Sequence, residues 1–202
     1  NTLKVFFELY PSFILLSLVF FIIGMEEISW FQRLIGIETP EFLKANAQKE
    51  MNFHNFATNY IENIYYFVSF VFLVVLPFMR SLFQFISSNK YLKTFVARPF
   101  IAIIGSIAFA YNFDMWNGIF TQITFFGSLI ILFVFYNFSS VKNERYLIIF
   151  AIILLITSQL SFLVYGGRFQ RIWEVTEYKE FLIPLTLIIY SIDLLLQIKK
   201  SL

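Results

Sequence analysis

Six runs of mostly apolar residues, separated by short polar stretches, organise this chain of 202 residues. They fall at roughly 9–28, 61–79, 97–113, 117–137, 146–165 and 181–197. Each approaches the roughly 20 residues that a helix needs to cross about 30 Å of hydrocarbon. The pattern predicts an all-α integral membrane bundle of about six transmembrane helices. It forms one domain over 1–202, since no connecting stretch is long or polar enough to separate two. Pro11, Pro77 and Pro184 sit near run ends, where a missing N–H costs least. Only "FDMWNG" divides the third and fourth runs, and Asp114, Asn117 and Gly118 make it a turn between antiparallel helices. Fusing or dropping one of these two runs would give a five-span alternative. The first run ends in Glu26-Glu27 without a small-residue cleavage site, so it reads as a retained span and not a signal peptide.

Composition agrees with a lipid environment. The chain is 59% hydrophobic and 14% charged, against about a quarter charged in soluble domains. Its mean hydropathy is +0.75. With no cysteine, disulfides, iron–sulfur clusters and thiolate zinc sites are excluded, and the single His54 excludes a site needing two histidines from one chain. No haem or nucleotide motif is present. Net charge is +2 with no basic run, so there is no nucleic-acid footprint.

Charge sets the orientation. With six spans, one face receives Lys4, Arg80, Lys90, Lys93, Arg98, Lys142, Arg145, Lys199 and Lys200, with Glu8, Glu144 and Asp193. The opposite face receives six basic residues (Arg33, Lys44, Lys49, Arg168, Arg171, Lys179) and ten acids: Glu26, Glu27, Glu38, Glu41, Glu50, Glu62, Asp114, Glu174, Glu177 and Glu180. The basic excess marks the cytoplasmic side and puts both termini inside, in what reads as a bacterial inner membrane. Acids contribute little to topology, so their gathering on the outer face needs its own explanation in function or local pairing.

The first outer loop is the longest. In "ETPEFLKANAQKEMNFHNFATNY", Thr39, Pro40 and Glu41 are N-cap, first-position and first-turn residues of a helix lying at the interface. From there Gln48, Asn52, Asn55, Asn59, Glu62 and Tyr66 recur at spacings of three and four, one narrow stripe if the helix continues into the second span. Amides aimed at lipid are costly, so the stripe faces other helices or a wet cavity. Interhelical hydrogen bonding and the wall of a polar pocket explain it equally well.

"EEISWFQR" precedes that loop. If the first span stays helical through it, Glu26, Ser29, Trp30 and Arg33 share a face, and Glu26 can pair with Arg33. Trp30 suits the interfacial aromatic belt. The plain reading is an interfacial anchor with a salt bridge, but Glu27 then has no cation near it in sequence. Glu50 and His54 stand four apart, a workable spacing for two metal ligands or for a carboxylate orienting an imidazole. The diiron pattern Glu-x-x-His is absent. "GGRFQRIWEVTEYKEFLIP" adds Arg168, Arg171, Glu174 and Glu177. A cluster of Glu26, Glu27, Glu50, His54, Glu174 and Glu177 would hold a divalent metal or carry acid–base chemistry; a lone histidine is more often structural. Ser29 lacks a nucleophile elbow.

Intramembrane CAAX-type proteases need Glu-Glu-x-x-x-Arg and later histidines, and alkaline ceramidase-like enzymes need several; neither pattern is here. The segment from Glu26 to Asn55 does resemble a signature in uncharacterised bacterial multi-pass membrane proteins: Glu-Glu-x-Ser-Trp-Gly-Gln-Arg, a Thr/Ser-Pro-Glu helix start, then Asn-x-Gln-x-Glu-x-Asn-x-His-Asn. The matches are Glu26, Glu27, Ser29, Trp30, Gln32, Arg33, Asn46, Gln48, Glu50, Asn52, His54 and Asn55, and Phe31 stands where that pattern has Gly. The resemblance implies that the Glu-Glu and Glu-x-x-x-His pieces belong to one feature, and it implies no activity.

Three functions remain open, and whether the protein is an enzyme is open with them. The first is binding or processing of an envelope lipid or glycan headgroup. There Glu27, Glu50 and His54 are catalytic candidates, and Arg33, Gln32, Asn52, Asn55, Asn59, Glu62, Arg168 and Arg171 are ligand-binding candidates. The second is a non-catalytic subunit among other membrane subunits. The third is a proton or cation pathway along the Glu62 and asparagine stripe.

Overall fold

Helix formation follows hydropathy along most of the chain. The structure, a computed structural model, describes residues 2–45, 49–52, 56–112, 118–168 and 174–201. All regular elements among them are helical. The order is α1 (Thr2–Glu27), a 3-10 turn (Ser29–Phe31), α2 (Gln32–Ile35), α3 (Thr58–Phe70), a π turn (Val71–Val75), α4 (Leu76–Leu82), α5 (Gln84–Ser88), α6 (Lys90–Phe95), α7 (Pro99–Ala108), α8 (Ile119–Phe138), α9 (Lys142–Tyr165), a 3-10 turn (Gly166–Arg168) and α10 (Glu174–Ser201). Among the described residues four helices are long and apolar enough to cross a membrane: Tyr60–Leu82, Ile119–Phe138, Lys142–Arg168 and Val175–Gln197. They fit an integral membrane protein. The described apolar part of α1, Tyr10–Glu26, and α7 are shorter.

The chain divides into two compact units, residues 10–66 and residues 1–9 with 67–202. In the larger one, α7 is the centre. It packs on α10, α9, α4, α8 and the π turn. Ile101, Ala102, Ile103, Gly105, Ser106 and Ala108 are all buried in it. A helix apolar on every side must be enclosed by others. Its start is legible, with Arg98 at the cap and Pro99 at the first position. Its 10 residues rise only about 15 Å, and beyond Ala108 the chain continues through tight turns, Phe109 N–H to Ser106 O at 3.1 Å and Ala110 N–H to Ile107 O at 3.1 Å. The third apolar run therefore holds a helix about half the bilayer in length where a full span was expected.

The π turn answers Pro77. Proline lacks the N–H that would bond the carbonyl of Leu73, and its ring crowds that carbonyl. The widened turn takes up the strain, with Leu76 N–H bonding back to Val71 O. Gly105 lets α7 approach this point: a Cβ there would meet Leu73 Cβ at 3.2 Å and Leu73 O at 3.3 Å. Gly127 does the same for Phe70, whose ring would sit 2.6 Å from an added Cβ. Helices α8 and α9 are joined by three residues, which makes them antiparallel neighbours. Arg145 Nε closes that connection on Ser139 O at 2.7 Å. On α9 only the stripe Ile148, Ala151, Leu155 and Gln159 is buried.

A buried carboxylate near the end of α10 is paired within this unit. Arg98 holds Asp193 in a two-pronged pair, Nε to Oδ2 at 2.8 Å and Nη2 to Oδ1. Gln197 Nε2 donates to the same carboxylate at 2.9 Å. Asp193 is 3% exposed, so the pair compensates a charge withdrawn from water.

Candidate functional site

Helix α1 stops at Glu27, and the next residues turn the chain sharply. Ser29, Trp30 and Phe31 all adopt positive φ, at 50°, 51° and 63°, and Lys49 does so at 56°. Side chains with a Cβ pay roughly 1–2 kcal/mol for each such residue. The expected continuous helical face of Glu26, Ser29, Trp30 and Arg33 is therefore not formed.

Side-chain bonds hold this backbone in place. Trp30 Nε1 donates to Glu26 Oε1 at 2.7 Å, and the indole meets the Phe21 ring edge-on at 6.3 Å. Ser29, 1% exposed, donates to Glu50 Oε2 at 2.7 Å. Gln32 is engaged at both ends of its amide: Nε2 donates to Thr39 Oγ1, and Oε1 accepts from the Met51 N–H at 2.7 Å. Thr39 Oγ1 in turn donates a hydrogen bond to Lys49 O at 2.8 Å. Two segments about twenty residues apart in sequence, 26–32 and 49–52, are thereby tied into one folded feature. Asn52 is 4% exposed beside it.

The Thr39-Pro40-Glu41 signal does not start the expected interfacial helix. Residues 40–45 make a single turn, closed by Leu43 N–H to Pro40 O at 2.9 Å. The Thr39 hydroxyl is committed to Lys49 and Gln32 instead of capping a helix. Helix α3 begins only at Thr58. The polar stripe drawn from Gln48 is thus interrupted: Asn52 lies in an irregular segment, while Asn59, Glu62 and Tyr66 lie on α3. Gln48, Asn46, His54, Asn55 and Arg171 lie outside the described residues, as do the side chains of Glu27, Arg33, Asn59 and Glu174. The Glu26–Arg33 pair, the Glu50–His54 pair and the six-residue metal cluster depend on them. Among the described residues no group of three or more His, Asp or Glu is placed to hold a metal. Glu177 is exposed on α10, and Arg168 is exposed with its guanidinium 5.7 Å from the Tyr165 ring centre. Both belong to the larger unit.

Sequence reasoning missed the Gln32–Thr39–Met51 clamp and the Trp30–Glu26 bond. The second had a signal, since an indole four residues after a carboxylate is in reach of it at the end of a helix. The first had none, because the left-handed residues that fold the chain back are ordinary Ser, Trp and Phe. No family model matches the chain, and neither does any curated protein or solved structure.

Proposed function

We propose that this is a bacterial inner-membrane protein of six spans, with both termini cytoplasmic. Its region from Glu26 to Glu62 forms an acid-rich polar site on the extracytoplasmic face, for the headgroup of an envelope lipid or glycan. The observation that carries this reading is the run of three left-handed residues locked by Ser29–Glu50, Trp30–Glu26 and Gln32–Met51. A linker between two helices has no need of such strain, and strain held by surrounding bonds concentrates at binding and catalytic sites. Within this reading Ser29 aims the Glu50 carboxylate, and Gln32 fixes the loop that bears it. Glu27 and His54 supply acid–base or metal chemistry, and Arg33 holds an anionic group. The likeness to the bacterial family is part of the same proposal: Phe31 takes the conformation that glycine adopts without cost, at the position where that family's pattern has Gly.

The test is purification from native membranes in mild detergent, with mass spectrometry of the small molecules retained. The wild-type protein should carry a headgroup-bearing lipid or glycan that Glu50→Ala and Glu50→Gln lose. An identical set on all three proteins would overturn the proposal.

A further inference from the structure

A second charged locus in the larger unit stands apart from that reading. Arg80 lies in the last turn of α4, within the final residues of the Tyr60–Leu82 span. It does not reach straight out to water. Its Nη1 donates to the carbonyl of Val96, a residue 4% exposed, which draws the guanidinium in against the segment before α7. Tyr190 donates to the neighbouring carbonyl of Phe95 at 2.7 Å, and Arg80 feels both the Tyr190 phenol and the Arg98 guanidinium.

Among the described residues the charges here do not balance. Arg98 follows Val96 by two residues, and Asp193, the described carboxylate beside it, is held by Arg98 and Gln197. Arg80 makes no ion pair among the described residues. One carbonyl satisfies one of its five N–H groups, and the like charge of Arg98 opposes it. A half-buried cation at a membrane surface calls for an anion. The surroundings indicate which kind. Leu82, Phe83 and Phe85, two to five residues after Arg80, are 52%, 44% and 60% exposed, so large apolar side chains follow the cation at the end of the span. Acyl chains suit those side chains, and a phosphate fits the fork of Arg80.

We propose that Arg80 is a docking site for the phosphate of an anionic phospholipid, whose chains lie on Leu82, Phe83 and Phe85. The lipid neutralises the guanidinium that Asp193 leaves uncompensated.

The purified protein in neutral detergent is heated with phosphatidylglycerol, with phosphatidylcholine or with millimolar inorganic phosphate, and native mass spectrometry counts bound lipid. Phosphatidylglycerol should raise the midpoint of the wild type by several degrees. Phosphatidylcholine and inorganic phosphate should raise it little. Arg80→Gln should lose most of the gain. Arg80→Lys keeps the charge without the fork, should bind about tenfold more weakly, and serves if the glutamine variant does not fold. An equal shift in the wild type and both variants would overturn the site. Equal effects of the two lipids would overturn the demand for an anion. A full shift with inorganic phosphate alone would overturn the lipid as its source.

Discussion

In the unit of residues 67–202 the central element is α7, which packs on α10, α9, α4, α8 and the π turn and buries Ile101, Ala102, Ile103, Gly105, Ser106 and Ala108. In the unit of residues 10–66 the centre is a turn, and its contacts are a serine on a carboxylate, an indole on a carboxylate and an amide shared between a hydroxyl and a backbone N–H. The first is held by close packing, in which a Cβ at Gly105 is already crowded. The second is held by directional bonds that offset backbone strain. Packing tolerates no added volume and few charges. Bonding tolerates exposure but depends on each partner. The two units should therefore fail differently when single residues are changed.

The largest effect is expected at the Arg98–Asp193 ion pair of the larger unit, whose carboxylate is withdrawn from water. Arg98→Ala leaves Asp193 buried without its cation and should cost about 3 kcal/mol, read as a lower unfolding midpoint in detergent. Asp193→Ala should cost less, because the Arg98 side chain is 42% exposed and can turn to water. Next is Gly105→Leu, which forces volume between α7 and the Leu73 carbonyl and should cost about 2–3 kcal/mol in the same assay. A change of opposite sign is expected at Gln159, 3% exposed with neither amide atom hydrogen-bonded. Gln159→Met should raise stability by about 1–2 kcal/mol by removing that burden.

Smaller and local effects are expected in the other unit. Phe31→Gly removes a left-handed side chain that is 41% exposed. Relief of about 1–2 kcal/mol, less the entropy cost of glycine, leaves a gain of about 0.5–1 kcal/mol. It should appear as slower hydrogen exchange over residues 29–32 with the midpoint of the bundle unchanged. A loss of protection there would show that Phe31 packs against something the strain argument leaves out.

The same contrast explains what was legible in the sequence. Helices α8, α9 and α10 follow from hydropathy, because lipid exposure demands long apolar runs and their ends are marked by Gly118, by Ser139 and by the glycines at 166 and 167. The Arg98-Pro99 start of α7 was legible, but its early end was not. Enclosed by other helices, the residues after Ala108 stay apolar, so the run gives no sign that helical geometry has ceased. At the site, Ser29, Glu50 and Gln32 were picked out by their types. Their arrangement was not, since nothing in "SWF" announces three positive φ angles. Thr39 misled for a physical reason: a hydroxyl able to cap a helix is equally able to bridge two strands of loop, and tertiary partners decided the matter.

The claim on which this account rests is that the turn at Ser29 and the segment at Glu50 form one locked feature. A double-mutant cycle with Ser29→Ala and Glu50→Gln, read by hydrogen exchange across residues 29–32 and 49–52, tests it directly. A hydrogen bond to a charged group predicts a coupling of about 1.5–3 kcal/mol, each single change costing nearly as much as the pair. Effects that simply add, within about 0.5 kcal/mol, would mean that the two segments are independent and that no such site is built there.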